Sequence, residues 1–489
     1  MAGRSLPAWL ACCLSFRVAS AYAQSAAPPA VHEPAAFDFM NLLSQHGLHD
    51  LSDERWNAYG QFTYITVFKP GFHAPYTNAN GSVNSFDADY ERSFAATFSL
   101  FFGARLWSGG EGYFAPEAIS ERPLSRLRGL GGATEIFELQ KTGSETPTPY
   151  RARLFVRQVF DLGGAEASLD SNPLQLGGTV RSRRLVLTAG NFSVIDVFDK
   201  NGVTGDPRQT FFNEAFMTHA SYDFPAEARG FTVGAAAELY WDDWALRLGR
   251  FAPPKHPNEH SLDFRFWERY GDSLELEHDH AIGGLPGAVR LLGYRNHVFS
   301  GRFDDAIAAY EADPQKNAGD CPSTSYNYGS ANFSAPDLCW VRRPNVKLGI
   351  GVNVEQFVSA GIGVFLRAMY SDGRTEVDAY DSADADFSFG AVAKGALWHR
   401  PFDVTGVGVS TSWISDSHAR YLAMGGVDGF IGDGRLRRAT EGLVDAFYSV
   451  NFLRAIWLAA DYQLLWNPGY NADRAGPVHM PGVKVHAEF

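Results

Sequence analysis

Residues 93–106 read SFAATFSLFFGARL. Phe94, Ala96, Phe98, Leu100, Phe102, Ala104 and Leu106 fall at even positions, and Ser93, Thr97, Ser99, Gly103 and Arg105 at odd ones. Successive side chains of an extended chain point to opposite faces, so this is a strand with one apolar and one polar face. A soluble sheet would bury the apolar face. A transmembrane barrel would press it on lipid and line a water-filled lumen with the polar face. The stretch RARLFVRQVFDLGG (151–164) sharpens the choice, because alternation puts Arg151, Arg153 and Arg157 on one face and Ala152, Leu154, Val156 and Phe160 on the other. The rest of the chain favours the barrel.

The same period-two pattern begins at Trp56 and continues to the last residue. VKLGIGVNVEQF (346–357) sets Val346, Leu348, Ile350, Val352 and Val354 against Lys347, Asn353 and Glu355, and SLELEH sets Leu274 and Leu276 against Glu275 and Glu277. Runs of roughly ten residues suit tilted strands that cross a bilayer. Strands are expected near 59–69, 93–106, 111–117, 151–162, 181–190, 231–240, 244–251, 273–279, 288–297, 346–357, 362–371, 387–398, 404–413, 441–450, 455–465 and 478–489. Long connections at 70–92, 118–150, 191–230, 252–272, 298–345, 372–386, 414–440 and 466–477 then alternate with short turns such as SGG (108–110), WDD (241–243) and HRPFD (399–403). The fold class is all-β: a transmembrane antiparallel barrel of about 16 strands, with short periplasmic turns and long extracellular loops. FFNEAFMTHASY (211–222) could pass as a strand, but counting it breaks the alternation of long and short connections. The segment 163–180 is long for an inner turn.

The ends of the chain agree with export. MAGRSLPAWLACCLSFRVASAYAQ has an early Arg4, an apolar stretch from Leu6 to Phe16 and an Ala21-Tyr22-Ala23 cleavage signature, so 1–23 reads as a secretory signal peptide. Residues 24–55 form an N-terminal extension on the periplasmic side, with a short helix expected within 37–51, and 56–489 form the barrel. The net charge of -13 argues against a nucleic-acid partner. Cys321 and Cys339 lie in a Pro/Asn/Ser-rich loop of an exported chain, where one intraloop disulfide is expected and two free thiols are the alternative. The chain closes on MPGVKVHAEF and a terminal Phe489, an aromatic end of the kind the barrel assembly machinery reads.

Several stretches, taken together and in order, carry a resemblance. They are DERWNAYGQFTYI (53–65), GARLWSGGEGYFAPE (103–117), GLGGA (129–133), YRARLFVRQ (150–158), NFSVIDVFD (191–199), DPRQTFFNEAFM (206–217), ARGFTVGAA (228–236), GDGRL (432–436) and YNADRAGPVH (470–479). From about Asp50 to Phe489 the chain resembles the carbohydrate-selective porins of the OprB type. The resemblance implies a sixteen-stranded barrel in the bacterial outer membrane, surrounded by lipid, through which sugars such as glucose diffuse passively. It implies no cofactor.

In such a channel guanidinium forks and carboxylates hydrogen-bond vicinal hydroxyls, aromatic faces pack on pyranose rings, and binding stays weak enough for release. Alternation places Arg105, Glu111, Tyr113, Glu117, Arg151, Arg153, Arg157, Arg184, Arg247, Glu275, Glu277, Lys347, Glu355, Arg367 and Lys394 on lumen faces. Arg151, Arg153 and Arg157, with Arg105 and Glu117, are the favoured sugar-contact group, because neighbouring strands bring them together. The loop 191–230 is expected to fold inward and narrow the pore. Two other classes are weighed beside the porin: an outer-membrane barrel enzyme and a secreted carbohydrate-binding protein. EHDH (277–280) splits its histidines and acids between two faces, so no metal site is expected. MGGVDGFIGDG (424–434) lacks the Lys-Ser/Thr of a phosphate loop. Glu275 and Glu277, about 7 Å apart on one strand, could imitate a glycosidase pair, but nothing marks either as the acid.

Overall fold

A computed structural model describes residues 38–139, 144–317, 334–379 and 381–489. The signal segment 1–23 and Cys321 lie outside the described residues.

Alternation builds a closed wall. The strands are β1 (Trp56–Lys69), β2 (Glu91–Trp107), β3 (Gly110–Arg122), β4 (Thr148–Asp161), β5 (Glu166–Leu169), β6 (Gly178–Arg181), β7 (Arg183–Phe192), β8 (Thr232–Trp241) and β9 (Trp244–Phe251). They continue as β10 (Tyr270–Ile282), β11 (Leu285–Ser300), β12 (Arg343–Ser359), β13 (Ile362–Ser371), β14 (Ala385–Lys394), β15 (Val404–Trp413), β16 (Glu441–Phe452), β17 (Ile456–Trp466) and β18 (Val478–Glu488). Among the described residues, 16 of them form one antiparallel barrel in which each strand pairs with its sequence neighbours, β7 follows β4, and β1 closes on β18. The closure is in register from Gln61↔Glu488 to Val67↔Gly482. It is tied off by Gly60 N–H to Phe489 O at 2.7 Å and Phe489 N–H to Gly60 O at 2.9 Å.

The two strands left over, β5 and β6, pair only with each other. They make a hairpin inside the connection 162–182, the segment too long for a turn. The expected strand 387–398 stops at Lys394, and 395–398 form a 3-10 turn.

The outer surface is apolar where a soluble protein would be wet. Phe98, Phe102, Phe114, Leu154, Val156, Leu248, Leu274 and Ile350 all stand exposed on it, and Trp56, Trp107, Trp241 and Trp244 ring the short-turn end. An apolar band edged by aromatic residues is the surface a bilayer solvates. Phe489 belongs to this band and packs on Phe98 with ring centroids 6.1 Å apart.

The interior is partly filled by the long loops. The third, after β7, crosses the lumen and bonds to the far wall. Asp199 N–H donates to Glu275 of β10 at 2.8 Å, and Ser221 N–H to Asp386 of β14 at 2.9 Å. Lys484 of β18 donates to Pro207 O and Thr210 O, both at 2.8 Å. Its aromatic residues Phe211 and Phe216 pack on Phe365 and Phe447 of the wall. The second loop, 123–147, also turns inward: Gly131 and Gly132 N–H donate to Glu441 at 3.0 and 2.8 Å, and Phe137 N–H donates to Phe212 O at 2.8 Å. At the other end the helix α1 (Phe39–Gln45), capped by Asp38, buries Met40 fully against β1.

Candidate functional site

The inward loops leave an opening along one side of the wall. A cavity of about 140 Å³ lies between the inner faces of β2, β3 and β4 (Thr97, Glu117, Ile119, Arg153) and the two loops, which contribute Phe137, Glu138, Arg208, Met217, Arg229 and Phe231 among others.

Its lining alternates ion pairs with aromatic faces. Arg153 meets Asp196 with both arms of its fork, Nε to Oδ2 and Nη2 to Oδ1, each 2.8 Å, and its Cζ lies 5.0 Å from the Phe231 ring. Arg208 pairs with Glu138 at 2.8 Å and lies over Phe137, while Thr97 Oγ1 donates to the second Glu138 oxygen at 2.9 Å. Glu117 accepts from Ser99 Oγ at 2.6 Å and from the Tyr150 hydroxyl. Arg229 lies over the Tyr150 ring at 4.9 Å and 3.6 Å from Glu227. A guanidinium has five donors, so each arginine that serves one carboxylate keeps N–H groups for a solute.

The loop groups feel this arrangement. Burial pushes the Asp196 carboxyl up, but Arg153 beside it outweighs burial and holds it below the usual aspartate value. For Glu138 burial wins over the attraction of Arg208, and its carboxyl is raised. Burial also dominates at Glu135, which is pushed up to about 7.

The expected residues divide into four groups. Glu117 and Arg153 line the cavity. Toward the short-turn end, Arg157 lies over the Tyr113 ring at 5.1 Å, Tyr113 stacks on Phe155 at 5.0 Å, and its hydroxyl donates to Glu111 at 2.7 Å. Arg105 is at the rim, 3.3 Å from Asp53. Further around the wall, from β7 onward, Arg184 lies over Tyr240 at 3.9 Å. Arg247 there binds Glu275 at 2.8 Å and Glu277 at 3.0 Å, and Arg290 bridges Glu277 and Glu355.

Two corrections follow. Arg151 does not share a face with Arg153 and Arg157. The register pairs Ala115 with Arg153 but Pro116 with Arg151, so Ala152 is a bulge residue and alternation is reset there. Arg151 points outward, is exposed, and donates to Asn191 Oδ1 at 3.1 Å.

Lys347, Arg367 and Glu275 face inward as expected but meet no open lumen, being 1%, 0% and 0% exposed. The third loop lies on them. Lys347 pairs with its Asp223 at 3.1 Å, Arg367 donates to its Phe216 O at 2.8 Å, and Glu275 accepts from its Asp199 N–H. A buried charge without a partner is costly, so these residues anchor the loop.

Arg208, Arg229, Glu138 and Asp196 were not identified from the sequence, because they sit on loops where alternation carries no information. Arg208, Asp196 and Arg229 lie within stretches that carried the family resemblance.

The model of the family described as "Carbohydrate-selective porin, OprB family" matches residues 87–489. The high-pH structure of Pseudomonas putida OprB is similar over 89% of this chain and 94% of its own, with a TM-score of 0.65 at 15% identity. The outer membrane channel DcaP of Acinetobacter baumannii matches with a TM-score of 0.48 at 10% identity, over 90% of this chain and 100% of its own. No curated protein matches the chain.

Proposed function

This chain belongs to the carbohydrate-selective porins of the OprB family, and on that premise we propose that sugars pass through the cavity between β2–β4 and the two inward loops. The protein is a sugar channel of the bacterial outer membrane. The short-turn end is then periplasmic and the long-loop end extracellular.

The observation that carries the proposed path is the alternation of Arg153–Asp196 and Arg208–Glu138 with the faces of Phe231 and Phe137 around the cavity. Opposed charges on two sides orient water across the opening without making a ring of one sign. A neutral polyol replaces that water with matched hydrogen bonds, while its ring carbons rest on the aromatic faces. An apolar solute of the same size replaces nothing and loses the water. At about 140 Å³ the cavity is well below the roughly 300 Å³ of sites that enclose larger ligands, so it takes one sugar ring at a time.

The remaining assignments support this reading. Glu275 and Glu277 are both held by Arg247, an arrangement suited to a charged wall and unsuited to an acid–base pair. Residues 1–23 direct export, the described part of the N-terminal extension, 38–55, lies at the periplasmic end, and Phe489 is the residue the assembly machinery engages. The test is liposome swelling with purified protein: neutral monosaccharides should enter faster than zwitterionic or apolar solutes of similar size. Equal rates would remove sugar preference from the reading.

A further inference from the structure

We infer that the periplasmic hairpin between β4 and β7 is a second filter, placed at the exit of the pore and clamped by Glu54; this rests on the sugar-porin reading above. Pairing of β4 with β7 continues down to Asp161↔Arg184, so two or three residues would close that turn. The chain instead inserts β5, largely exposed, and the part-buried β6, and the tip 170–177 between them bends back onto the inner wall.

The tip reaches across four strands, a span of about 14 Å at the usual strand spacing. On β1, Asn57 Nδ2 donates to Asn172 O at 3.1 Å and Gln175 O at 3.0 Å, and the Tyr59 hydroxyl lies 2.7 Å from Ser171 Oγ. On β3, the Tyr113 hydroxyl accepts from Leu176 N–H at 3.0 Å, and on β4 Arg157 donates to Leu174 O at 2.9 Å. Two of these strands, β3 and β4, also bound the sugar cavity with their inner faces. A solute leaving the cavity along them meets the tip.

The strap is fastened from outside the barrel sequence. Glu54 is fully buried, accepts from Gly177 N–H at 2.7 Å, returns its own N–H to Gly177 O at 3.0 Å, and is met by His49 at 3.0 Å. Gly177 is required there: a Cβ would come within 2.0 Å of Leu51 O. A turn that was merely long would not need a buried carboxylate to hold it.

The experiment deletes residues 165–181, leaving Gly163 and Gly164, both at positive φ, with Ser182 as the turn. Conductance in planar bilayers and swelling rates for a monosaccharide and a disaccharide are then compared with the parent. Single-channel conductance is expected to rise roughly twofold, and the disaccharide-to-monosaccharide rate ratio several-fold, because the exit constriction is gone. Glu54→Gln and Gly177→Ala should move both readings the same way by less, and they serve if the deletion does not assemble. A deletion or clamp variant with retained heat-modifiable mobility and parental values of both readings overturns the filter. A parent that passes no sugar instead defeats the porin reading, and the two failures are therefore distinct.

Discussion

Arg153 on the wall and Asp196 at the start of the third loop meet through two parallel hydrogen bonds of 2.8 Å. The pair both cancels a charge in the cavity and fixes the loop where it enters the lumen. Asp196→Ala leaves the guanidinium uncompensated, and the pore should become anion-selective, its permeability ratio for chloride over potassium rising a few-fold. The zero-current potential under a KCl gradient measures this. Because the Asp196 carboxyl is held below its ordinary value, its contribution to stability is complete above the unfolded value, about 3.9. That contribution is lost only as pH falls through the lower folded value. The Asp196 contribution to selectivity should therefore persist down to about pH 4, and any change above that pH belongs to the raised carboxyls of Glu138 and Glu135.

Glu135 behaves in the opposite sense. Burial in the second loop raises it to about 7, so its neutral form suits the fold and stability is lost as pH rises through that value. Ionisation in place costs on the order of 3 kcal/mol, enough to loosen the loop locally. Sugar flux through the parent should change in a step near pH 7. Glu135→Gln should abolish the step and keep the Leu124 N–H bond, which the parent makes at 2.9 Å. Identical pH profiles for the two proteins would refute this.

How much of this was legible beforehand follows from what alternation can report. It identified the strands, an even number of them as a closed barrel needs, and the inward face of Glu117, Arg153 and Arg157, because a period of two fixes a face. It misassigned Arg151, because the bulge at Ala152 leaves no mark in the spacing. It placed Lys347, Arg367 and Glu275 on the correct face but could not show that Asp223, Phe216 and Asp199 would cover them. Arg208 and Arg229 had only their place in a familiar stretch to recommend them. The anomalous length of 163–180 was visible, and its fold back onto Asn57 and Tyr113 was not.

Cys339 is disulfide-bonded, and Cys321 is the partner we propose. The unreduced protein should then show no reactive thiol at either position. Closing a loop of roughly 18 residues contributes about 3 kcal/mol to local order in the entropy model. Reduction should leave heat-modifiable mobility unchanged, since Cys339 lies in a 3-10 turn outside the strands. Two thiols titrating in the folded, unreduced protein would exclude the pairing.

Phe489 packs outward on Phe98 and ends the pairing of β18 with Gly60. Phe489→Ala keeps the backbone bonds to Gly60 and takes away one exposed aromatic contact, about 1 kcal/mol, so refolding in detergent should be nearly normal. Assembly in cells should fall far more if the machinery reads this residue. Comparing yield in the outer membrane with yield of refolding separates the two effects, and equal losses would argue against a recognition role.

The most direct test compares Arg153→Ala with Arg151→Ala in liposome swelling at matched protein loading. The two arginines are two residues apart, one in the cavity and the other on the outer surface. Loss of a charged hydrogen-bonding group at the constriction, worth about 1.5 kcal/mol, should lower the preference for a neutral sugar over a zwitterion of equal size by up to roughly tenfold. Arg151→Ala should leave that preference at the parental value. If Arg153→Ala keeps parental selectivity, or if Arg151→Ala loses it, the sugar path does not run along β2–β4 as described.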